Sequence, residues 1–433
     1  MAMDGKELVE KLAKLSQVQS IKDIPQLTHA LFPGTHCPLM GAAMAVGGIK
    51  DSLIVVVGTD ECTYYTKSMT IHSEKFGGID GRCVSVVLDD HDVTFGSAEK
   101  VQESFKEIIE EYRPQCVFLV TTCVIEIIGD DFDAISEGLS ELYGIPVLPV
   151  HTEHFKCEDH LPGLERTITV CAEMMKSCDS DNSVNLLGQR MGDFATTELY
   201  AMLQKAGVKI GLQLPCGCSV DDIKNAAAAK VNIVVNDIAL PLAQKMQEKF
   251  GIPYVYFNKF VIPEKIYEAY KNLFGYLELE LPEELEGLYQ NAREKIEKNK
   301  GELEGITYIY GNTPYAVFEM NCFLSSLGMV PQVIQTNRYT EADEPYAKEI
   351  LQYTDPYVCK AANIAPLQYV YDVLSPYLYL GHEFGNRLRQ KGIAIVHSDR
   401  ASGMLGFEVT GYLLQQLVKS VREAKEYRKE LGL

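Results

Sequence analysis

The chain has 433 residues, about three domains' worth, and its 46% apolar and 23% charged residues exclude a disordered, collagen-like or coiled-coil protein. With 40 basic and 60 acidic residues the net charge is −20, which argues against nucleic acid or an anionic membrane as partner and leaves room for a basic protein partner. Short β-branched runs alternate with longer amphipathic ones. Strands are predicted at Ser52–Val57, Val84–Leu88, Cys116–Val120 and Val147–Val150, with helices at Leu39–Val46, Ser97–Tyr112 and Asp131–Tyr143. After the small polar linker Ser177–Ser183, strands are predicted at Val184–Leu187, Ile210–Leu214, Asn232–Val235 and Tyr254–Phe257. Helices Thr196–Ala206, Val220–Lys230 and Leu240–Phe250 lie between them. A charged helix, Pro282–Lys300, leads to strands Thr307–Tyr310, Pro331–Gln335 and Ala394–Val396, and to helices Ala316–Leu327, Glu344–Gln352 and Phe407–Leu431.

Strand–helix–strand repetition implies an α/β fold with parallel sheets covered on both faces. Three such groups predict three Rossmann-like domains around a central cleft, spanning 1–180, 181–303 and 304–433, the last with a long C-terminal helix. No apolar run approaches the roughly 18 residues of a membrane helix. The opening Met-Ala-Met-Asp-Gly-Lys-Glu lacks a signal-peptide layout, so the expected location is cytoplasmic. There, 12 cysteines are expected as thiols, some in the core and some as metal ligands.

In open α/β sheets, ligands bind where strands end and loops lead into helices. No strand here is followed by a phosphate-cradling glycine loop, so neither ATP nor a dinucleotide is expected by the common routes. The strand ends carry cysteine instead. Cys37 sits in Phe-Pro-Gly-Thr-His-Cys-Pro, just before a helix, Cys62 follows Ser52–Val57, and Cys123 follows Cys116–Val120. Thiolates gathered this way suit an iron–sulfur cluster or zinc; the plain alternative is buried core thiols.

The segment Thr-Cys-Val-Ile-Glu-Ile-Ile-Gly-Asp-Asp around Cys123 resembles the signature of the nitrogenase component 1 family, and Gly-Thr-x-x-Cys-x-Tyr-Tyr around Cys62 is similar to that family's second cysteine segment. Cys37 falls where the first cysteine belongs. Spacings of 25 residues from Cys37 to Cys62 and 61 from Cys62 to Cys123 are similar to those of the dark-operative protochlorophyllide reductase N subunit. The resemblance implies that Cys37, Cys62 and Cys123 bind an iron–sulfur cluster, 4Fe–4S or larger and P-cluster-like, at a subunit interface. It also implies a second copy or homologous subunit as partner, and a separate ATP-hydrolysing iron protein as electron donor. A second metallocofactor or a tetrapyrrole substrate would occupy the inter-domain cleft. An assembly scaffold for a metal cluster is the alternative to a reductase.

His397, at the end of strand Ala394–Val396, matches a position where family members carry a histidine near their second metal cluster, and is the expected proton donor or ligand. Cys216 and Cys218, in Leu-Pro-Cys-Gly-Cys-Ser, and Asn312 and Thr313, opening a helix, are the other residues expected to line the cleft. One departure stands out. The catalytic molybdenum–iron subunit holds its cofactor with a cysteine on a second-domain helix; here that position is Ala243. Dinitrogen reduction at such a cofactor is therefore not expected.

Overall fold

The computed structural model describes residues 4–28, 36–71, 81–157, 159–190, 192–258, 260–311, 313, 315–361 and 364–433. The first sheet has four parallel strands in the order Cys83–Val87, Ser52–Gly58, Cys116–Thr121, Val147–Val150. Successive side chains of a strand point to opposite faces. Ile54, Val56, Phe118 and Val120 accordingly enter one core, while Leu53, Val55, Val57, Val117 and Leu119 enter another. A strand buried on both faces needs a continuous apolar run, and Ser52-Leu-Ile-Val-Val-Val supplies it.

The second sheet is also parallel, in the order Tyr254–Tyr256, Val231–Val234, Val184–Gln189, Ile210–Pro215. Leu187, Leu212, Leu214 and Val234 join Ile54 and Phe118 in one core, so the first two sheets share an apolar interior. A short parallel pair, Ile49–Lys50 with Cys218–Ser219, stitches them together. The third sheet has six strands in the order Ala13–Lys14, Tyr357–Cys359, Val330–Gln335, Thr307–Tyr310, Leu378–Leu380, Ala394–Val396. Only its first pair is antiparallel among the described residues. The N-terminal segment Gly5–Lys14 thus packs with the third sheet, although it precedes the first sheet in the chain.

Two helices of the shared core, Pro38–Gly47 and Leu161–Val170, pack on one another where glycines remove side chains. A Cβ on Gly41 would lie 1.9 Å from the His160 carbonyl oxygen, and one on Gly163 would lie 1.8 Å from that of Pro38. Backbone atoms cannot rotate away as a flexible side chain can. Gly163→Ala is therefore expected to cost about 3 kcal/mol or more, read as a lowered urea midpoint. Because Pro38 follows Cys37, the variant should also displace that thiol. An unchanged midpoint would contradict this packing.

Several elements differ from expectation. The helix expected over Val220–Lys230 stops at Lys224 and continues as a tighter turn, Ala226–Ala228, after Asn225 ends it. Strands Tyr357–Cys359 and Leu378–Leu380 are three residues each, too short to show a period-two pattern. Helices Leu161–Val170 and Pro263–Leu277 both start on a proline in the first turn, where its missing N–H costs nothing.

Candidate functional site

Cys37, Cys62 and Cys123 come to one end of the first sheet. Cys37 caps helix Pro38–Gly47 with extended backbone. Cys62 lies in the first turn of Asp60–Ile71, directly after strand Ser52–Gly58. Cys123 opens helix Cys123–Ile128, after the neighbouring strand Cys116–Thr121. Gly58 sets how closely the two strand ends approach: a Cβ there would fall 2.0 Å from Thr122 Oγ1. Thr122 in turn donates its hydroxyl to the Val57 carbonyl at 2.9 Å. Small side chains thus hold the two cysteine loops side by side.

All three thiols are half-buried. Burial pushes the Cys123 thiol up, and the nearness of Cys62 and then Cys37 adds to it. The Thr59 hydroxyl donates to Cys62 Sγ at 3.5 Å. Beneath Cys123, Glu126 Oε1 accepts from the hydroxyls of Thr121 at 2.8 Å and Thr152 at 3.0 Å, and from the Glu153 amide at 2.5 Å. Among the described residues no trio of His, Cys, Asp or Glu is arranged to hold a single metal ion. Three thiols drawn together from separate loops, with Cys62 and Cys37 within electrostatic reach of Cys123, would suit a polynuclear cluster, whose ligands bind different metals. They fit an iron–sulfur group, and a metal must displace their protons to bind. The helices carrying Cys62 and Cys123 also present exposed apolar side chains, Tyr64, Tyr65 and Ile127, the last 72% exposed.

The remaining expected residues divide. His397 is exposed and lines a cavity of about 140 Å³ with Thr313, His382, Glu383 and Asp399. The Tyr315 hydroxyl steadies this loop by donating to the Ser398 carbonyl at 3.2 Å. Asp399 pairs with His382 at 3.4 Å, not with His397. Thr313 Oγ1 is hydrogen-bonded to the Tyr310 hydroxyl. Asn312 lies outside the described residues. Cys216 and Cys218 part company. Cys218 is 1% exposed in the shared core, where burial drives its thiol far up. Cys216 is half-buried and donates its S–H to the Arg190 carbonyl at 3.3 Å. Ala243 is fully buried in helix Leu240–Phe250, so its position faces the interior.

Other groups lie at the meeting of the three sheets. Arg190 directly follows strand Val184–Gln189, and its guanidinium is within electrostatic reach of Cys216, Asp159 and Arg338. His160 faces His36 with ring centroids 6.5 Å apart. Burial first, then Arg190, pulls its imidazole down to about 4, leaving it neutral near pH 7. His151, His154, Cys157 and His160, close in sequence, do not converge: His151 pairs with Asp133, and Cys157 donates to the Thr152 carbonyl.

Glu319 is a buried carboxyl whose Oε1 has no partner among the described residues. Burial raises it from its ordinary value near 4.5 to about 7, against the opposing pull of Lys265 and the Val261 amide. Between these values the folded chain keeps a proton that the unfolded chain loses. Stability should therefore fall as pH rises from about 4.5 to 7, by roughly 3 kcal/mol from this group. Glu319→Gln should remove that slope in urea titrations across the window. An unchanged difference between the two proteins at both pH values would contradict it.

The family model described as nitrogenase component 1 type oxidoreductase matches residues 37–422. The nitrogenase iron–molybdenum cofactor biosynthesis protein NifE of Clostridium pasteurianum is 31% identical over 224 residues, 51% of this chain and 49% of that protein. The NifE of Rippkaea orientalis is 25% identical over 331 residues, 73% of this chain and 69% of that one. The matched region thus spans about half the length of the first relative and about two thirds of the second. The solved structure described as nitrogenase Cp1 at pH 6.5 superposes with a TM-score of 0.79, over 93% of this chain and 95% of that one, at 15% identity. That likeness carries the fold: α/β, with parallel sheets. Among the described residues, no helix is long and apolar enough to cross a membrane.

Proposed function

This chain belongs to the nitrogenase component 1 type oxidoreductase family, and on that footing we propose that it is the iron–sulfur subunit of a nitrogenase-like reductase. The observation that carries the reading is the gathering of Cys37, Cys62 and Cys123 at adjacent strand ends of one sheet. These three residues would hold the cluster, which supplies one-electron transfer when bound. Three protein thiolates leave a cluster open on one side. The exposed Tyr64, Tyr65 and Ile127 beside it support closure by a second copy or a homologous subunit. The electron donor is a separate ATP-hydrolysing iron protein, and the location is cytoplasmic. The domains divide at 1–180, 181–303 and 304–433, apart from the N-terminal segment that joins the third sheet.

Electrons pass to a substrate or metallocofactor, tetrapyrrole or metal cluster, at the meeting of the three domains. His397, exposed at a cavity beside Thr313, is placed to hold or deliver a proton there. The buried Ala243 offers no thiolate, which supports a cofactor held otherwise than in the molybdenum–iron subunit.

The second reading is a scaffold on which a metal cluster matures, and the names of the relatives favour it. One experiment separates the two. The anaerobically purified chain is mixed with its iron protein and ATP, and in parallel with an apo-acceptor protein. A reductase consumes electrons continuously and keeps its iron. A scaffold passes iron to the acceptor and shows no sustained electron flux.

A further inference from the structure

At the meeting point of the three domains one buried guanidinium nitrogen has no hydrogen-bond partner among the described residues. Strand pairing of Ile49 with Cys218, and the bond from the Gly217 amide to the Gly48 carbonyl at 3.2 Å, fix the loop that carries Cys216 against the first domain. The Gln189 side-chain amide donates to the Gly403 carbonyl at 3.4 Å, and Gly192 lies against Gly403, which fixes the end of the neighbouring strand against the third domain. Arg190 is held between these anchors. Its Nε is fully buried with no hydrogen-bond partner among the described residues. Cys216 and then Asp159 are the acidic groups within its electrostatic reach, and no ion pair between Arg190 and Asp159 is present among the described residues. Arg338 adds a second positive charge from the third domain. Glu165 and Asp237 lie within electrostatic reach of Arg338, whereas the buried Nε of Arg190 is left without a partner among the described residues. A buried guanidinium donor left unpaired is costly, and a carboxylate or phosphate satisfies its planar fork in full.

We propose that this junction binds an anionic ligand, carboxylate- or phosphate-bearing, through Arg190, with the Cys216 thiol beside the bound anion. The proposal rests on the reading of the junction as the ligand site of the protein, but not on the metal at Cys37, Cys62 and Cys123. It gives Cys216 a place at the ligand and leaves Cys218 to the core.

The test uses the full chain, purified anaerobically, and two alkylating probes of similar size. Iodoacetate is an anion and iodoacetamide is neutral. With either, the Cys216 sulfur bonds to the probe's carbon, iodide leaves and the thiol proton goes to solvent. Modification of Cys216 is followed by peptide mass mapping. Both probes need the same thiolate, so their rate ratio is independent of how readily Cys216 ionises. The ratio of iodoacetate to iodoacetamide should fall roughly tenfold in Arg190→Gln, the effect of one lost charge a short distance away at a half-buried site, and should be kept in Arg190→Lys. Succinate and inorganic phosphate, added separately, should protect Cys216 in the unaltered protein. Protection by one alone identifies a carboxylate or a phosphate ligand. The proposal is overturned if the ratio is the same in all three proteins, if neither anion protects, or if Cys216 reacts with neither probe. Iron content, read on the same samples, reports separately on the metal reading.

Discussion

Replacing Cys123 by alanine is expected to strip most of the iron from anaerobically purified protein and to bleach its broad visible absorbance. Cys123 sits between the other two thiols in electrostatic terms, since its own ionisation responds to both Cys62 and Cys37. Without it, two thiolates from separate loops would face a cluster whose remaining ligands come from elsewhere. The substitution itself is mild for the fold. Cys123 is half-buried, and alanine is a good residue for the first position of helix Cys123–Ile128. Loss of iron with an unchanged urea midpoint would therefore mark a ligand. Loss of both would point to a packing role. Cys37→Ala and Cys62→Ala should behave alike, and retention of full iron in all three variants would remove the basis of the metal site.

The second large effect is expected at His397. The residue follows strand Ala394–Val396 and opens onto the cavity shared with Thr313 and His382. A positioned proton donor contributes about 10² to 10⁴ in rate. His397→Ala should lower the steady flux of electrons drawn from the iron protein by a factor in that range, while leaving iron content as in the unaltered protein. A single-turnover measurement sharpens this: the first electron should arrive at its normal rate, because His397 is not among the cluster's ligands. His382 shares the cavity but is engaged with Asp399. His382→Ala is thus the control, and is expected to have a small effect. Normal flux in His397→Ala would return the residue to an ordinary loop histidine.

The α/β fold was legible because parallel strands buried on both faces need near-continuous apolar runs, and Ser52–Val57 and Cys116–Val120 are such runs. The cysteine loops were legible for a related reason: strand ends point to one edge of a sheet, so Cys62 and Cys123 had to be neighbours once their strands paired. Arg190 and Arg338 were not visible. Each is an ordinary polar residue in its own segment, and only the meeting of three sheets buries the Arg190 Nε without a partner among the described residues. Glu319 was hidden likewise, since a lone glutamate near a helix start reads as solvated until tertiary packing buries it. Cys216 and Cys218 show the opposite failure. Both were expected to line the cleft, but a two-residue strand turns Cys218 into the core and leaves Cys216 at the junction.

The most direct measurement is an iron and acid-labile sulfide determination on the full chain purified without oxygen, combined with its native mass. The account predicts an oligomer, with itself or a homologous subunit, that carries both iron and sulfide in comparable amounts. A protein without iron and sulfide, or a stable monomer that keeps its cluster, would contradict it.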